Sequence, residues 1–278
     1  MAATFVVVPQ WQGSGSSRAM RLVDGAEAIR GDLPAASTRI VSVPLEAGDA
    51  EGSGVHRLSS VVMVRDNLER ELASVTGPAI TIGGDCGVEV GAIGHVLGRR
   101  GLGENVAVLW IDAHPDLSTP ETSHSHAFHA MVLRTLLGEG PAQLVPSTPL
   151  PVSQLVLVGT RAADPDEQEF LENSGAAVIP PDVFSAETLI AAVAATGATS
   201  VYVHIDLDAL DPGEFDGIGY PEPFGLAAGD LVVALKAVLA LYPLAGAGIM
   251  EFAPSSPDSA ADDLPTILRL IGALSAAA

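Results

Sequence analysis

The chain reads as an α/β fold built on a parallel sheet, and two observations carry that expectation. Short apolar runs of strand type alternate with longer stretches whose apolar residues recur at helical spacing. The loops richest in Gly, Pro, Ser and Asp come directly after the apolar runs, where open α/β sheets hold their ligands. The expected strands are 4–8, 39–43, 79–82, 106–111, 155–158, 177–179, 200–205 and 247–251, eight in all. Helices are expected over 55–75, 88–99, 126–137, 166–173, 186–195, 227–241 and 264–274. No repeat, low-complexity tract or long linker interrupts the 278 residues, so 1–278 is expected to form a single domain.

Composition narrows the function classes. Hydrophobic residues make up 48% and charged residues 17%, which supports a sizeable core and argues against global disorder. Charge, Gly or Pro interrupts every apolar run before it reaches membrane-spanning length. The start, Met1-Ala2-Ala3-Thr4-Phe5-Val6-Val7-Val8, lacks the basic segment of a secretory signal and reads as a first strand, so a cytoplasmic location is expected. Against 13 basic residues stand 34 acidic ones, a formal net charge of -21. That field repels phosphate backbones, which argues against nucleic-acid binding, and it attracts metal ions or cationic organic molecules. An acidic surface also serves solubility alone, so charge by itself decides little. Cys86 is the one cysteine, which excludes an intramolecular disulfide.

Three clusters carry chemistry. In Val108-Leu109-Trp110-Ile111-Asp112-Ala113-His114-Pro115-Asp116 an apolar strand runs into three ligand-type side chains at alternate positions. Asp112, His114 and Asp116 share a face if the extended backbone persists, and a carboxylate–imidazole set suits Mn, Fe, Co or Zn. The segment from Val201 to Pro212 repeats the logic with Asp206 and Asp208. Two carboxylates at a buried strand end repel one another, and a cation removes that cost. His204 has the same parity but lies deeper, where a hydrogen-bonded core histidine is the simpler role. Asp211, before Pro212, reads as a turn residue. The third cluster, Ile80-Thr81-Ile82-Gly83-Gly84-Asp85-Cys86-Gly87, ends a strand in a Gly-Gly turn, where Asp85 can cap the next helix.

Together these segments resemble the ureohydrolase superfamily, which includes arginase, agmatinase, guanidinobutyrase and formimidoylglutamase. That family carries a Gly-Gly-Asp-His turn, an Asp-Ala-His-x-Asp segment and an Asp-x-Asp-x-x-Asp-Pro segment in this order. Gly248-Ile249-Met250-Glu251-Phe252-Ala253-Pro254 resembles its Glu-Val-Asn-Pro segment. The resemblance implies a three-layer αβα sandwich around an eight-stranded parallel sheet. It also implies two Mn2+ ions: Asp112 and Asp206 bridge them, Asp116 and residue 86 complete the first, and His114 and Asp208 complete the second. A hydroxide bridging both ions would attack the guanidino carbon. By the same resemblance Asp116 passes a proton to the leaving amine, His129 is a proton shuttle, and Glu251 holds the guanidinium. His126, one helical turn before His129, is a weaker candidate supporting group, and His124 weaker still. Family members form trimers or hexamers, so a homo-oligomer is in view.

The substrate follows from the same alignment of motifs. Ser118, Ser125 and Asp164 fall where arginase holds the amino-acid end of arginine, while Ala162 replaces an Asp of that loop. These positions favour a small guanidino substrate of arginine type over agmatine. The departure is Cys86, where the family has His. Thiolate is softer and prefers Zn, Fe or Cu(I) to Mn, so other divalent metals come into play. Cys86 can ligate as thiolate, remain protonated beside a weakly held ion, or mark a lost site. The altered site directs attention to the family branch that hydrolyses Nω-hydroxy-L-arginine to hydroxyurea and L-ornithine in the biosynthesis of the antibiotic D-cycloserine. The alternatives are an arginase-, agmatinase- or guanidinobutyrase-type hydrolase that releases urea, and a metal-poor, non-catalytic binding protein.

Overall fold

Residues 3–99 and 105–277 are described by a computed structural model. Positions 1–2, 100–104 and 278 of the expected single domain 1–278, Met1 and Ala2 of its first segment among them, lie outside the described residues. Eight strands form one parallel sheet: β1 (Thr4–Val8), β2 (Thr38–Ile40), β3 (Ala79–Gly83), β4 (Val106–Ile111), β5 (Leu155–Val158), β6 (Ala177–Ile179), β7 (Ser200–Asp206) and β8 (Leu244–Met250). Their order is β2-β1-β3-β8-β7-β4-β5-β6, which puts β3, β8, β7 and β4 at the centre. Those strands are apolar on both faces, as a sheet covered on both sides requires.

Alternation sorts the two faces. Phe5, Val7, Ile80, Ile82, Leu109, Ile111, Val203 and Ile205 point to one core, closed by α1 (Arg21–Gly31), α6 (Ala186–Thr196), α7 (Ala228–Leu239) and α8 (Pro257–Ser275). Val6, Val8, Val108, Trp110 and Tyr202 point to the other, closed by α2 (Leu58–Leu72), α3 (Glu89–Gly98), α4 (Val132–Leu136) and α5 (Pro165–Ser174). The result is the three-layer αβα sandwich that the resemblance implies. Among the described residues no helix is long and apolar enough to cross a membrane.

Several elements depart from the sequence expectation. Helix α1 was not expected, because Gly25 and Gly31 break its apolar pattern. Gly25 is there for contact, since a Cβ on it would lie 2.0 Å from the Phe252 carbonyl oxygen. β2 stops at Ile40, where the edge of the sheet offers it only β1 as a partner. β8 starts at Leu244, three residues early, because Leu244-Ala245-Gly246 gains its extended form from pairing with β7. The helix expected over 126–137 is mostly absent. His126 has a left-handed backbone (φ 52°), Phe128–Met131 form a 3-10 turn, and only Val132–Leu136 is α-helical. Helix α8 begins seven residues before 264, at a capping box between Ser256 and Ser259, and carries Pro265 inside.

The turn after β3 locks the centre together. Gly84 N donates to the Val8 oxygen (3.0 Å), and its own oxygen accepts from Glu251 N (2.8 Å). A Cβ on Gly84 would stand 1.6 Å from the Gln10 carbonyl oxygen. Gly84→Ala is therefore expected to destabilise the protein by about 1–3 kcal/mol or more through overpacking. A urea-unfolding midpoint equal to that of the wild type would contradict this packing.

Candidate active site and metal centre

The four central strands deliver the candidate residues to one end of the sheet. β3 leads to Cys86, β4 to Asp112, His114 and Asp116, β7 to Asp206 and Asp208, and β8 to Glu251. Simple strand alternation does not survive past the strand ends. Asp116 and Glu251 both have left-handed backbones (φ 50° and 64°), and a 3-10 turn at Leu207–Ala209 follows Asp206. These bends distribute the donors into separate groups. Cys86, Asp206 and Glu251 form one, and Asp112, His114 and Asp208 form another, with ligand atoms within 4.8 Å inside each group. A third set joins Cys86, Asp112 and His204.

Within the first group the Cys86 thiol donates to Asp206 Oδ2 (3.2 Å), and Cys86 N donates to Glu251 Oε1 (3.2 Å). In the second, His114 Nδ1 lies 2.9 Å from Asp208 Oδ2 and 3.7 Å from Asp112 Oδ1. Backbone amides orient the carboxylates: His114 N reaches Asp112 Oδ1 (2.7 Å), Ala113 N reaches Asp208 Oδ1 (3.1 Å) and Asp208 N reaches Asp206 Oδ1 (2.8 Å). Trp110 Nε1 donates to Asp112 Oδ2 (3.0 Å). Asp116 stands apart. Its Oδ2 is buried and has no partner. Arg161 clamps the loops around the site through carbonyls, including Asp208 O (2.8 Å) and Glu222 O (2.7 Å).

The electrostatics are those of crowded, dry carboxylates. Burial, then the charges of Asp208 and Asp112, pushes Asp206 well above the usual range. Burial and the Asp112 charge do the same to Asp116, and they push Asp208 up to about 6. Asp85 is pushed up to about 7 by burial and Glu251, although Gln10 and Gly87 N hold it as a cap. Burial would lower His114, but Asp112 and Asp208 outweigh it and push it up to about 12. Asp112 runs the opposite way: burial would raise it, yet the nearby imidazoles of His114 and His204 hold it low. Burial raises the Cys86 thiol, and Asp206 raises it further. An orphaned carboxylate oxygen and several carboxyls driven toward neutrality are what a cation would relieve, so the donor set fits divalent metal ions. Its oxygen and imidazole members suit Mn, and its one sulfur suits a softer ion.

Above this floor lies a cavity of about 530 Å³, lined by His114, Asp116, Asp206, Asp208, His129 and Glu251 and also by Ser118, Ser125, Ala162 and Asp164. The structure thus brings the candidate substrate positions to the same space, with Cys86 and Asp112 buried beneath. His129 Nδ1 stands 3.6 Å from Glu251 Oε1. His126 packs beside His56 instead (centroids 5.6 Å apart), and His124 is 86% exposed. The missing helix explains both, since helical spacing does not relate them to His129. Asp211 accepts from Gly213 N and Gly225 N, as a turn residue does. Sequence reasoning missed Glu167, which joins Leu117 N (2.8 Å) to Asp164 N (2.9 Å), and Tyr220, whose ring lies 5.2 Å from that of His129. Glu167 sits at the third position of a capping box begun by Asp164, a signal that could have flagged it.

A parallel sheet that gathers such donors beneath a cavity defines a candidate centre for divalent cations at the strand ends. Comparisons with known proteins make the class specific. The Arginase family profile matches residues 23–265. Arginase of Staphylococcus aureus (strain COL) is 27% identical over 228 residues, which is 78% of this chain and 74% of that protein. Arginase of Entamoeba histolytica is 29% identical over 224 residues, 76% and 74% of the two chains. Among solved structures, Entamoeba histolytica arginase in complex with L-ornithine superposes with a TM-score of 0.87 at 23% identity, covering 98% of this chain and 97% of that one. Proclavaminate amidino hydrolase of Streptomyces clavuligerus gives 0.74 at 20% identity, covering 100% and 93%. The chain belongs to the arginase family, and it is a hydrolase of amidino carbon–nitrogen bonds.

The shifts set a pH dependence for the metal-free protein. Asp85, Asp116, Asp206 and Asp208 all titrate above 3.8 when folded, so the fold binds more protons than the unfolded chain as pH rises from there. Stability contributed by these protonated groups is lost as pH climbs through about 6 and 7, the values of Asp208 and Asp85. His114 acts in the same sense above 6.5, and Asp112 titrates below this window. The unfolding temperature of chelator-treated protein is expected to fall between roughly pH 5 and pH 8, and added Mn2+ to raise it more at the higher pH. A flat profile would show that these carboxyls are not crowded in a dry site.

Proposed function

We propose that this chain is a binuclear-metal amidinohydrolase for an arginine-like amino acid, hydrolysing Nω-hydroxy-L-arginine to hydroxyurea and L-ornithine. The observation that carries the proposal is Cys86 within a donor group, beside a cavity that Ser118, Ser125 and Asp164 help to line. Asp112, Asp206, Asp116 and Cys86 would hold one ion, and Asp112, Asp206, His114 and Asp208 the other, with manganese the first choice. When bound, such a pair acidifies a shared water and supplies hydroxide near neutral pH.

The chain's own residues do the rest. Glu251 meets the guanidinium with charge-assisted hydrogen bonds. Ser118, Ser125 and Asp164 receive the amino-acid end, and the carboxylates of the cavity favour a cationic substrate. Asp116, raised by burial, can take a proton from the attacking water and pass it to the δ-nitrogen as its bond to the guanidino carbon breaks. Burial would lower His129, but Glu251 outweighs it and shifts the imidazole up, which favours its exchanging protons with the cavity. A softened site under Cys86 suits a substrate whose N-hydroxyl brings an extra oxygen donor. Hydroxyurea release would place the enzyme in antibiotic biosynthesis.

A screen of guanidino compounds with Mn-loaded protein, reading urea and hydroxyurea separately, tests the assignment. Hydroxyarginine is expected to turn over fastest. Faster arginine turnover would make it an arginase, and faster agmatine or 4-guanidinobutyrate turnover would remove the amino-acid reading. No bound metal and no activity after Mn addition would favour the binding protein. His129→Asn is expected to lower kcat about 10²–10⁴-fold, with KM little changed. A kcat within a factor of two of wild type would remove His129 from proton transfer.

A further inference from the structure

We propose that His204 is a ligand of the first metal ion, supplying from β7 the imidazole that the resembling family carries at position 86. The proposal deepens the two-metal reading above and rests on it. Its basis is a set of buried groups that a core histidine does not need. His204 and Glu89 are both 0% exposed, inside a layer otherwise made largely of aliphatic and aromatic side chains. Glu89 lies in the first turn of α3, where an apolar residue would pack at lower cost.

The hydrogen bonds define which nitrogen is free. His204 Nδ1 pairs with Glu89 Oε1 (3.0 Å), and Glu89 Oε2 accepts from the Tyr202 hydroxyl (2.6 Å). A carboxylate on Nδ1 favours the proton there, which turns an Nε2 lone pair toward Cys86 and Asp112. This is the arrangement that metal-bound histidines use. β8 keeps room for that carboxylate: a Cβ on Gly248 would lie 1.7 Å from Glu89 Oε1. The ring itself is clamped by stacking on Trp110, with centroids 3.7 Å apart and planes 25° apart. The same indole orients Asp112 through its N–H.

Nε2 then faces the donors of the first site. It lies 3.8 Å from Cys86 Sγ and 3.9 Å from Asp112 Oδ2. The second distance is too long for a hydrogen bond. Two ligands on one ion, with bonds of about 2.0–2.3 Å at near-tetrahedral angles, stand roughly 3.3–3.8 Å apart, so the sulfur spacing suits a shared ion and the carboxylate has only about half an ångström to close. Cys86 is shorter than histidine by most of an imidazole ring, and the His204 ring stands beside it.

Electron spin echo spectroscopy on the Mn(II)-loaded full chain reads this directly by counting coupled imidazole nitrogens. Two imidazoles, His114 and His204, are expected in the wild type and one in His204→Ala. Calorimetric Mn affinity is expected to drop about 10–100-fold or more in His204→Ala and about 10–100-fold in Glu89→Gln. The double variant Cys86→His, His204→Ala is expected to recover the wild-type affinity, which a purely structural role for His204 would not allow. Wild-type protein that binds two ions with one coupled imidazole overturns the His204 assignment and leaves the two-metal reading intact. Wild-type protein that binds no metal overturns both. The wild-type count decides even if His204→Ala does not fold.

Discussion

Repulsion among Asp112, Asp116, Asp206 and Asp208, which share the carboxyl ends of two adjacent strands, governs how the centre of this molecule is built. Three of them are shifted toward the neutral form, and Asp116 leaves an oxygen without a partner. Such a cluster costs several kcal/mol unless positive charge or donors meet each oxygen. The surrounding structure does this in part. Backbone amides of 113, 114 and 208, the Trp110 indole and the His114 ring all point at carboxylates. Arg161 adds a fixed positive charge while bonding only to carbonyls. The remaining deficit is what divalent cations would fill.

The backbone bears part of that cost. Asp116 and Glu251 hold left-handed conformations that non-glycine side chains disfavour, by about 1–3 kcal/mol each. Both bends occur just after a buried strand and turn a carboxyl into the cavity. The glycines nearby serve close approach instead: Gly84 against Gln10, and Gly248 against Glu89. Strained positions and close contacts gather at one end of the sheet because that is where the chemistry is placed.

Sequence and structure agree best where the signal is local. Seven of the expected helices have counterparts, but the one over 126–137 shrank to five α-helical residues. Its apolar residues have helical spacing, yet Ser123 and Ser125 hydroxyls cap the backbone amides of 126 and 127 and hold the chain out of the helix. Helix α1 escaped notice because its two glycines break the apolar pattern, and one of them, Gly25, answers to a contact with Phe252 that no local rule records. Asp112, His114, Asp206 and Asp208 were legible as a constellation, since each follows an apolar run. Tyr220 was not, because it comes from a loop with no motif.

Alternating apolar runs followed by acidic and imidazole residues determined a parallel α/β sheet with polar chemistry at its strand ends. Those features depend on neighbours in the chain, and periodicity records them. Only the tertiary structure decided the strand order that sets β3, β8, β7 and β4 side by side, and so which donor joins which group. It moved Asp208 toward His114 and Asp206 toward Cys86, although alternation alone gives both the same direction. It also turned His204 from a plausible core residue into one whose free nitrogen faces Cys86. The placing of Asp206 and of His204 depends on contacts more than a hundred residues apart, between Cys86 and Asp206 and between Glu89 and His204. No local pattern encodes a distance of that kind; packing the two faces of one sheet does.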